Sequence, residues 1–266
     1  MLQSGGEAMS IFTEPRLSAC IVLYKSGMRA LQTVQCFQES STPLELFVVD
    51  NAPDGALWDQ LFWQCPGAVY RPMKKNLGYG VANNAVLGEL RSEYHLICNP
   101  DVSFSETLLD EMIAFMDANP SVVILTPRVL NLNKTEQYLP KHAPTVRALL
   151  GGRLERFPGP FKKWRSTYTM RDQEVTEPVP VEFATGCFML IRTNILRSLN
   201  GFDPRFFLYH EDSDLSRRAL ELGYIVYHPD FVITHDWQRK SSRSLRHTMH
   251  HIASTVRYFN KWGWKW

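Results

Sequence analysis

The 266-residue chain lacks several features, and each absence excludes a class of protein. No apolar run approaches the roughly 18 residues needed to cross a bilayer, so no membrane-spanning helix is expected. The opening "MLQSGGEAMSIFTEPR" has neither a basic stretch nor an apolar core, so residues 1–16 read as a flexible start and not as a secretion signal. The five cysteines (Cys20, Cys36, Cys65, Cys98, Cys187) are odd in number and show no CxxC spacing. That argues against a disulfide framework or a zinc site, and for buried thiols in a reduced, intracellular protein. Neither GxGxxG nor a P-loop occurs, which weighs against a dinucleotide or ATP site. There are no internal repeats and no low-complexity segments. A net charge of +2 is too small to say anything about partners.

What is present is ordinary globular material, 44% hydrophobic and 21% charged, long enough to bury about three quarters of its unfolded surface. "LSACIVLY", "LELFVVD", "AVYRP", "YHLIC" and "SVVILTP" read as strands. "YGVANNAVLGEL" and "ETLLDEMIAFMDA" read as helices, as does the stretch around Leu31, Val34 and Phe37. Strands alternating with helices predict an α/β fold, a mostly parallel sheet with helices on both faces, which binds ligands beyond the carboxyl ends of its strands. Asp50, Asn51, Asn76 and Asp101 fall there. From 131 to 180 the pattern dissolves into a polar, Pro- and Gly-bearing segment too long for a plain connection. Order returns over 181–240, with "VPVEFATGCFMLIR", a helix near Asn194–Leu199, and "GYIVYHPDFVITHDW" as two short strands. The tail, 241–266, reads as a helix with Leu245, Met249, Ile252 and Val256 at three-four spacing.

Three motifs carry chemistry. In "NLGYGVANN" (76–84), two glycines before a helix let backbone approach a phosphate or ribose, although a tight strand-to-helix turn has the same sequence. In "ICNPDV" (97–102), a proline-stiffened strand end presents Asp101 to a hard cation, or is a plain turn. In "FLYHEDSDLSRR" (207–218), Glu211, Asp212 and Asp214 read as the acidic first turn of a helix, capped by Asp212 or Ser213 with Asp214 paired to Arg218, or as a catalytic base. His235, closing "FVITH", is a candidate metal ligand with Asp101.

The ordered set "VVDN", "NLGYGVANN", "NPDV", "ATGCFMLIR", "GFDPRFFLYHEDSDLSRRALELGY" and "HDW" resembles family-2 glycosyltransferases of the GT-A fold. Bacterial rhamnosyltransferases of O-antigen and other cell-surface polysaccharides are the subgroup it is most similar to. The resemblance implies a glycosyltransferase domain over 17–240, with a nucleotide-sugar half (17–130), an acceptor-side or mobile segment (131–180) and an acceptor and catalytic half (181–240). By the same resemblance Leu23, Tyr24 and Asp50, with Asn51 beside it, hold the nucleotide base, and Asn76, Gly78 and Asn83 approach ribose and diphosphate. Asn99 and Asp101 stand where relatives have Asp-x-Asp, so Asp101 is the expected ligand of Mg or Mn, with His235 as the second. Asn99 in place of the first acid weakens that site. Gly186 and Cys187 pass the donor sugar on the acceptor side, Asp212 is the base and Glu211 orients the site.

The implied reaction moves L-rhamnose from dTDP-rhamnose to a polyprenyl-diphosphate-linked or polysaccharide acceptor. UDP-galactofuranose or UDP-glucose is the rival donor, and an idle sugar-nucleotide-binding scaffold the rival from another class. Asp236–Trp266 holds seven Lys/Arg against one acid, with four of the seven tryptophans, and Gly151–Arg171 holds six against one. Such segments suit the anionic inner leaflet of the cytoplasmic membrane, where the lipid-linked acceptor lies. No nucleic-acid partner is expected, since binding of that kind rests on the tail alone and predicts a steep salt dependence. The tail's apolar stripe also suits a homodimer.

Overall fold

The computed structural model describes residues 15–51, 58–139, 141–236 and 245–266. Expectations for 1–14, for "NAPDG" beyond Asn51, and for Trp237, Arg239, Lys240 and Arg243 lie outside the described residues.

The elements in order are β1 (Leu17–Leu23), α1 (Arg29–Glu39), β2 (Leu44–Asp50), α2 (Trp58–Gln64), β3 (Val69–Pro72), α3 (Tyr79–Asn84), β4 (Tyr94–Cys98), β5 (Val102–Ser103) and α4 (Leu108–Ala118). There follow β6 (Val122–Leu130), α5 (Val146–Leu154), α6 (Phe161–Tyr168), β7 (Val179–Pro180), β8 (Phe188–Arg192), α7 (Thr193–Ser198), α8 (Glu211–Ala219), β9 (Tyr224–His235) and α9 (Leu245–Trp262). All seven residues of β1 are buried, as a strand covered on both faces requires. The sheet runs β3-β2-β1-β4-β8-β6-β9-β5, with β7 beside β9. β1, β2, β3 and β4 are mutually parallel, and β8 lies antiparallel between β4 and β6. On one face Ala19 and Ile21 pack with Val34 and Phe37 of α1 and Met112 and Met116 of α4. On the other, Cys20 and Val22 pack with Ala82, Leu196 and Leu215.

Four local expectations are corrected. The segment 131–180 contains two helices, α5 and α6, which pack on each other because Gly151 admits the backbone of Phe161 and Arg165. "YIVYHPDFVITH" is a single strand whose pairing with β6 skips from His228 to Val232, around Pro229, which has no N–H to give. The helix at "YGVANNAVLGEL" ends at Asn84 and gives way to turns. α8 starts at Glu211 with His210, not Asp212 or Ser213, at its N-cap. Asp214 does pair with Arg218, at 2.9 Å.

Candidate functional site

The carboxyl ends of β1, β2 and β4 open on a cavity of about 910 Å³. Tyr24, Asn51, Asn76, Gly78, Asn99, Asp101 and His235, all singled out from sequence, line it together. The 76–79 turn is held by side chains acting as backbone partners. Asn51 Nδ2 donates to Asn76 Oδ1 at 3.0 Å and to the Gly78 carbonyl at 3.1 Å, while Leu77 N–H donates to Asn51 Oδ1 at 3.0 Å. Gly78 has φ +88, and a Cβ there would collide with the Phe207 carbonyl, so both its conformation and its setting demand glycine. Leu23, Asp50 and Asn83 are buried and do not line the cavity. The Leu23 carbonyl accepts from Asn51 N–H at 2.8 Å, Asp50 Oδ2 accepts from the Tyr70 hydroxyl at 2.8 Å, and Asn83 Nδ2 donates to the Tyr79 carbonyl at 3.0 Å.

Antiparallel pairing of Val102 with His235 sets Asp101 beside the imidazole, and Asp236 N–H donates to the Asp101 carbonyl at 3.0 Å. Gln137 Nε2 donates to the His235 carbonyl at 2.7 Å, which turns its Oε1 toward His235 Nδ1 at 3.1 Å. Nδ1 therefore carries the proton, and the Nε2 lone pair faces the cavity. It lies 3.3 Å from Asn99 Nδ2 and 3.2 Å from Asp101 Oδ1. A lone pair and a carboxylate oxygen facing each other at that distance call for a cation or a proton between them, so the pair fits a divalent ion that a ligand's oxygens would complete. Among the described residues no three His, Cys, Asp or Glu side chains cluster as a closed metal site.

The remaining sequence candidates adjoin the cavity through Tyr79, which lines it. The Tyr79 hydroxyl donates to the Gly186 carbonyl at 2.6 Å, and Gly186 N–H donates to Asp212 Oδ2 at 3.3 Å. Ser213 N–H donates to Asp212 Oδ1 at 2.8 Å. Burial raises the Asp212 carboxyl, opposed by Lys141 and by these two N–H groups. Glu211 is 5% exposed and its Oε2 has no partner among the described residues. Burial first, then the charge of Asp212, pushes its carboxyl up to about 8, so Glu211 keeps its proton at neutral pH. Tyr209 and His210, at φ 70 and 65, are consecutive left-handed residues that aim the start of α8 here, a conformation costing roughly 1–2 kcal/mol per residue. Cys187 is buried, its thiol pushed up to about 11 by desolvation, and its carbonyl accepts from Asn99 N–H at 2.8 Å.

With this geometry established, comparison with known proteins is informative. Residues 18–199 match glycosyl transferase family 2. The chain belongs to that family. This glycosyltransferase is 26% identical over 229 residues to an N-acetylglucosaminyl-diphospho-decaprenol L-rhamnosyltransferase of Mycobacterium tuberculosis, covering 80% of this chain and 73% of that one. It is 35% identical over 83 residues to rhamnosyltransferase WbbL of Escherichia coli K12, covering 29% and 30%. Its fold is that of GalNAc-T7, solved with UDP, GalNAc and Mn2+ (TM-score 0.66, 13% identity, 94% of this chain and 48% of that one). The GT-A fold and a place near the rhamnosyltransferases are therefore established for this enzyme.

Sequence reasoning missed several site residues. Lys141, half-buried over the Phe183 ring at 4.7 Å, is drawn down to about 8 by desolvation, against the pull of Asp212. It lies in the 131–180 segment, where no periodicity flags it. Gln137 carried no motif. Lys25 and Phe207 line the cavity, as do His247 and His250 of α9. The three histidines in "HTMHH" were the available signal for the last two, but they read as part of a generic basic tail.

Proposed function

We propose that this enzyme is an inverting rhamnosyltransferase that moves L-rhamnose from dTDP-rhamnose to a saccharide carried on a polyprenyl diphosphate, in cell-surface polysaccharide synthesis. The observation that carries the reading is the chain of contacts from the cavity wall at Tyr79, through Gly186, to Asp212. It sets a base behind the wall of a cavity that Asp101 and His235 also line. The sugar and acceptor rest on the mycobacterial relative, similar over most of both chains. Asn76, Gly78 and the 76–79 backbone would cradle the ribose and diphosphate, with Tyr24 and Asn51 toward the base. When bound between Asp101 and His235, a divalent cation, Mg or Mn, supplies charge neutralisation for the diphosphate.

Asp212 takes the proton of the acceptor hydroxyl as that oxygen bonds to the anomeric carbon. The bond from that carbon to the β-phosphate oxygen breaks, and its electron pair leaves with the nucleoside diphosphate. One displacement from the opposite face inverts the anomeric centre. The Gly186 and Ser213 N–H groups favour the ionised form of Asp212 against the burial that raises it, and the neutral Glu211 adds no second charge to repel the leaving group.

A lipid-borne acceptor places the work at a membrane surface. No helix among the described residues is long and apolar enough to cross one. The exposed Arg153, Arg156, Phe157, Lys162 and Lys163 around the α5–α6 turn, with exposed Trp264 and Trp266, suit peripheral contact with an anionic cytoplasmic leaflet. The test is a thermal-shift panel of dTDP-rhamnose, UDP-sugars and GDP-sugars with Mn2+, followed by transfer to a polyprenyl-diphosphate N-acetylglucosamine and NMR of the new linkage. A ligand at a hundred times its Kd adds about 2.7 kcal/mol. A selective rise with dTDP-rhamnose and an inverted product are expected. A rise with UDP-sugars alone would replace the donor, and no rise at all would leave an idle scaffold.

A further inference from the structure

We propose that His247 and His250 of α9 bind the donor's diphosphate in the cavity they share with Asp101 and His235. The inference rests on the nucleotide-sugar reading of the cavity and assigns that site a second wall. Both imidazoles line the 910 Å³ cavity together with Asn76, Gly78 and Asp101. Each is anchored by an interaction that leaves a ring nitrogen free. The His250 ring stacks on Phe207 with centroids 4.6 Å apart and planes 25° from parallel, which occupies a ring face, and its nitrogens make no hydrogen bond among the described residues. His247 Nδ1 meets the Tyr209 hydroxyl at 3.4 Å, leaving Nε2 without a partner among the described residues. Neighbouring His251 has a different role. Its ring packs against Tyr209 and His210, its Nδ1 meets Thr255 Oγ1 at 3.4 Å, and it does not line the cavity.

The chemistry of the cavity calls for such donors. Among the described residues Asp101 is the one acid lining it, and it faces His235 as half of a candidate cation site. Of the two lysine or arginine side chains that line it among the described residues, Arg29 is engaged by Asp236, leaving Lys25. A nucleoside diphosphate goes from about two negative charges to about three as the glycosidic bond breaks, and with the Asp101 carboxylate beside it the sum exceeds what one divalent ion and one lysine neutralise. Imidazole N–H groups of α9 would meet that developing charge at the diphosphate oxygens. Phe207 sets the position of this wall, because its carbonyl also accepts from Tyr79 N–H at 3.2 Å, in the turn that would hold the diphosphate.

The test is calorimetric titration of the full chain with Mn2+ and dTDP, UDP, dTMP or UMP. His250→Phe keeps a ring to stack on Phe207 and loses the N–H, and His247→Phe loses its N–H likewise. Each replacement is expected to weaken the preferred diphosphate about tenfold, and the pair about a hundredfold, with the matching monophosphate changed less than twofold. His250→Gln, which restores an N–H, should recover most of the affinity. Unchanged diphosphate affinity in a doubly substituted protein with a normal melting temperature would overturn the inference, as would equal losses for mono- and diphosphate. Should the parent protein bind none of the four nucleotides, the nucleotide-sugar reading itself falls and takes this inference with it.

Discussion

The two walls of the cavity are built on different principles. The sheet wall consists of short polar side chains at strand ends, each locked by hydrogen bonds to backbone, such as Asn51 to Leu77 and Gly78, or Gln137 to His235. The helical side, α8 with α9, is held by ring stacking and by one fully buried carboxylate. Asp214 receives Arg218 Nε at 2.9 Å, Trp262 Nε1 at 2.8 Å and Lys261 Nζ at 2.6 Å. The first arrangement fixes atoms to within a hydrogen bond. The second fixes a whole helix through a few contacts, and a single substitution can release it. The locked side chains of the sheet wall suit a cation and a nucleotide base, which need fixed geometry.

The contrast can be broken in order of effect. Asp214→Ala leaves two cations and an indole N–H around an empty site, and should cost about 3–5 kcal/mol in urea unfolding. A loss under 1 kcal/mol would mean the hub does not hold α9. Asp212→Asn should lower turnover about 100-fold with donor affinity retained, read from single-turnover transfer beside calorimetry. Unchanged turnover would remove Asp212 as base.

Glu211 offers a pH test. Its folded value, about 8, lies above the ordinary 4.5, so the folded state binds the extra proton and stability falls as pH rises through that window. Urea unfolding should show a loss of about 2 kcal/mol between pH 5 and 8, the scale of a buried unsatisfied polar group, and Glu211→Gln should flatten it. The smallest effect is expected on the sheet side, where redundancy protects. Gln137→Ala frees the His235 tautomer and should raise the Mn2+ concentration for half-activation about tenfold. No change would show that backbone pairing with β5 orients the ring unaided.

Legibility in sequence follows the same division. β2 and β4 are readable to the residue, because buried parallel strands are continuous apolar runs ended by polar turns. Asn76, Asn99, Asp101 and His235 follow from strand ends in turn. α2 went unread, since "WDQLFWQ" carries three polar residues in seven. α5 and α6 went unread because their packing depends on distant partners. Val146 N–H donates to the Lys265 carbonyl at 2.9 Å, and Arg147 lies 5.8 and 5.5 Å from the Trp164 and Trp266 rings. The tail's own periodicity was legible, but its meaning inverts the usual rule. The apolar stripe faces outward, and α9 docks through Ser254, Tyr258 and Phe259.

That outward stripe has a practical consequence for anyone purifying the protein. Leu245 is 84% exposed and Met249 70%, with Ile252 and Val256 continuing the row over about three turns. In lipid-free buffer such a row conceals itself against whatever apolar surface is nearest, a second copy or a detergent micelle. Size measured in buffer alone then reports the solvent as much as the enzyme. Lipid nanodiscs or short-chain detergent should return the particle to its unassociated mass.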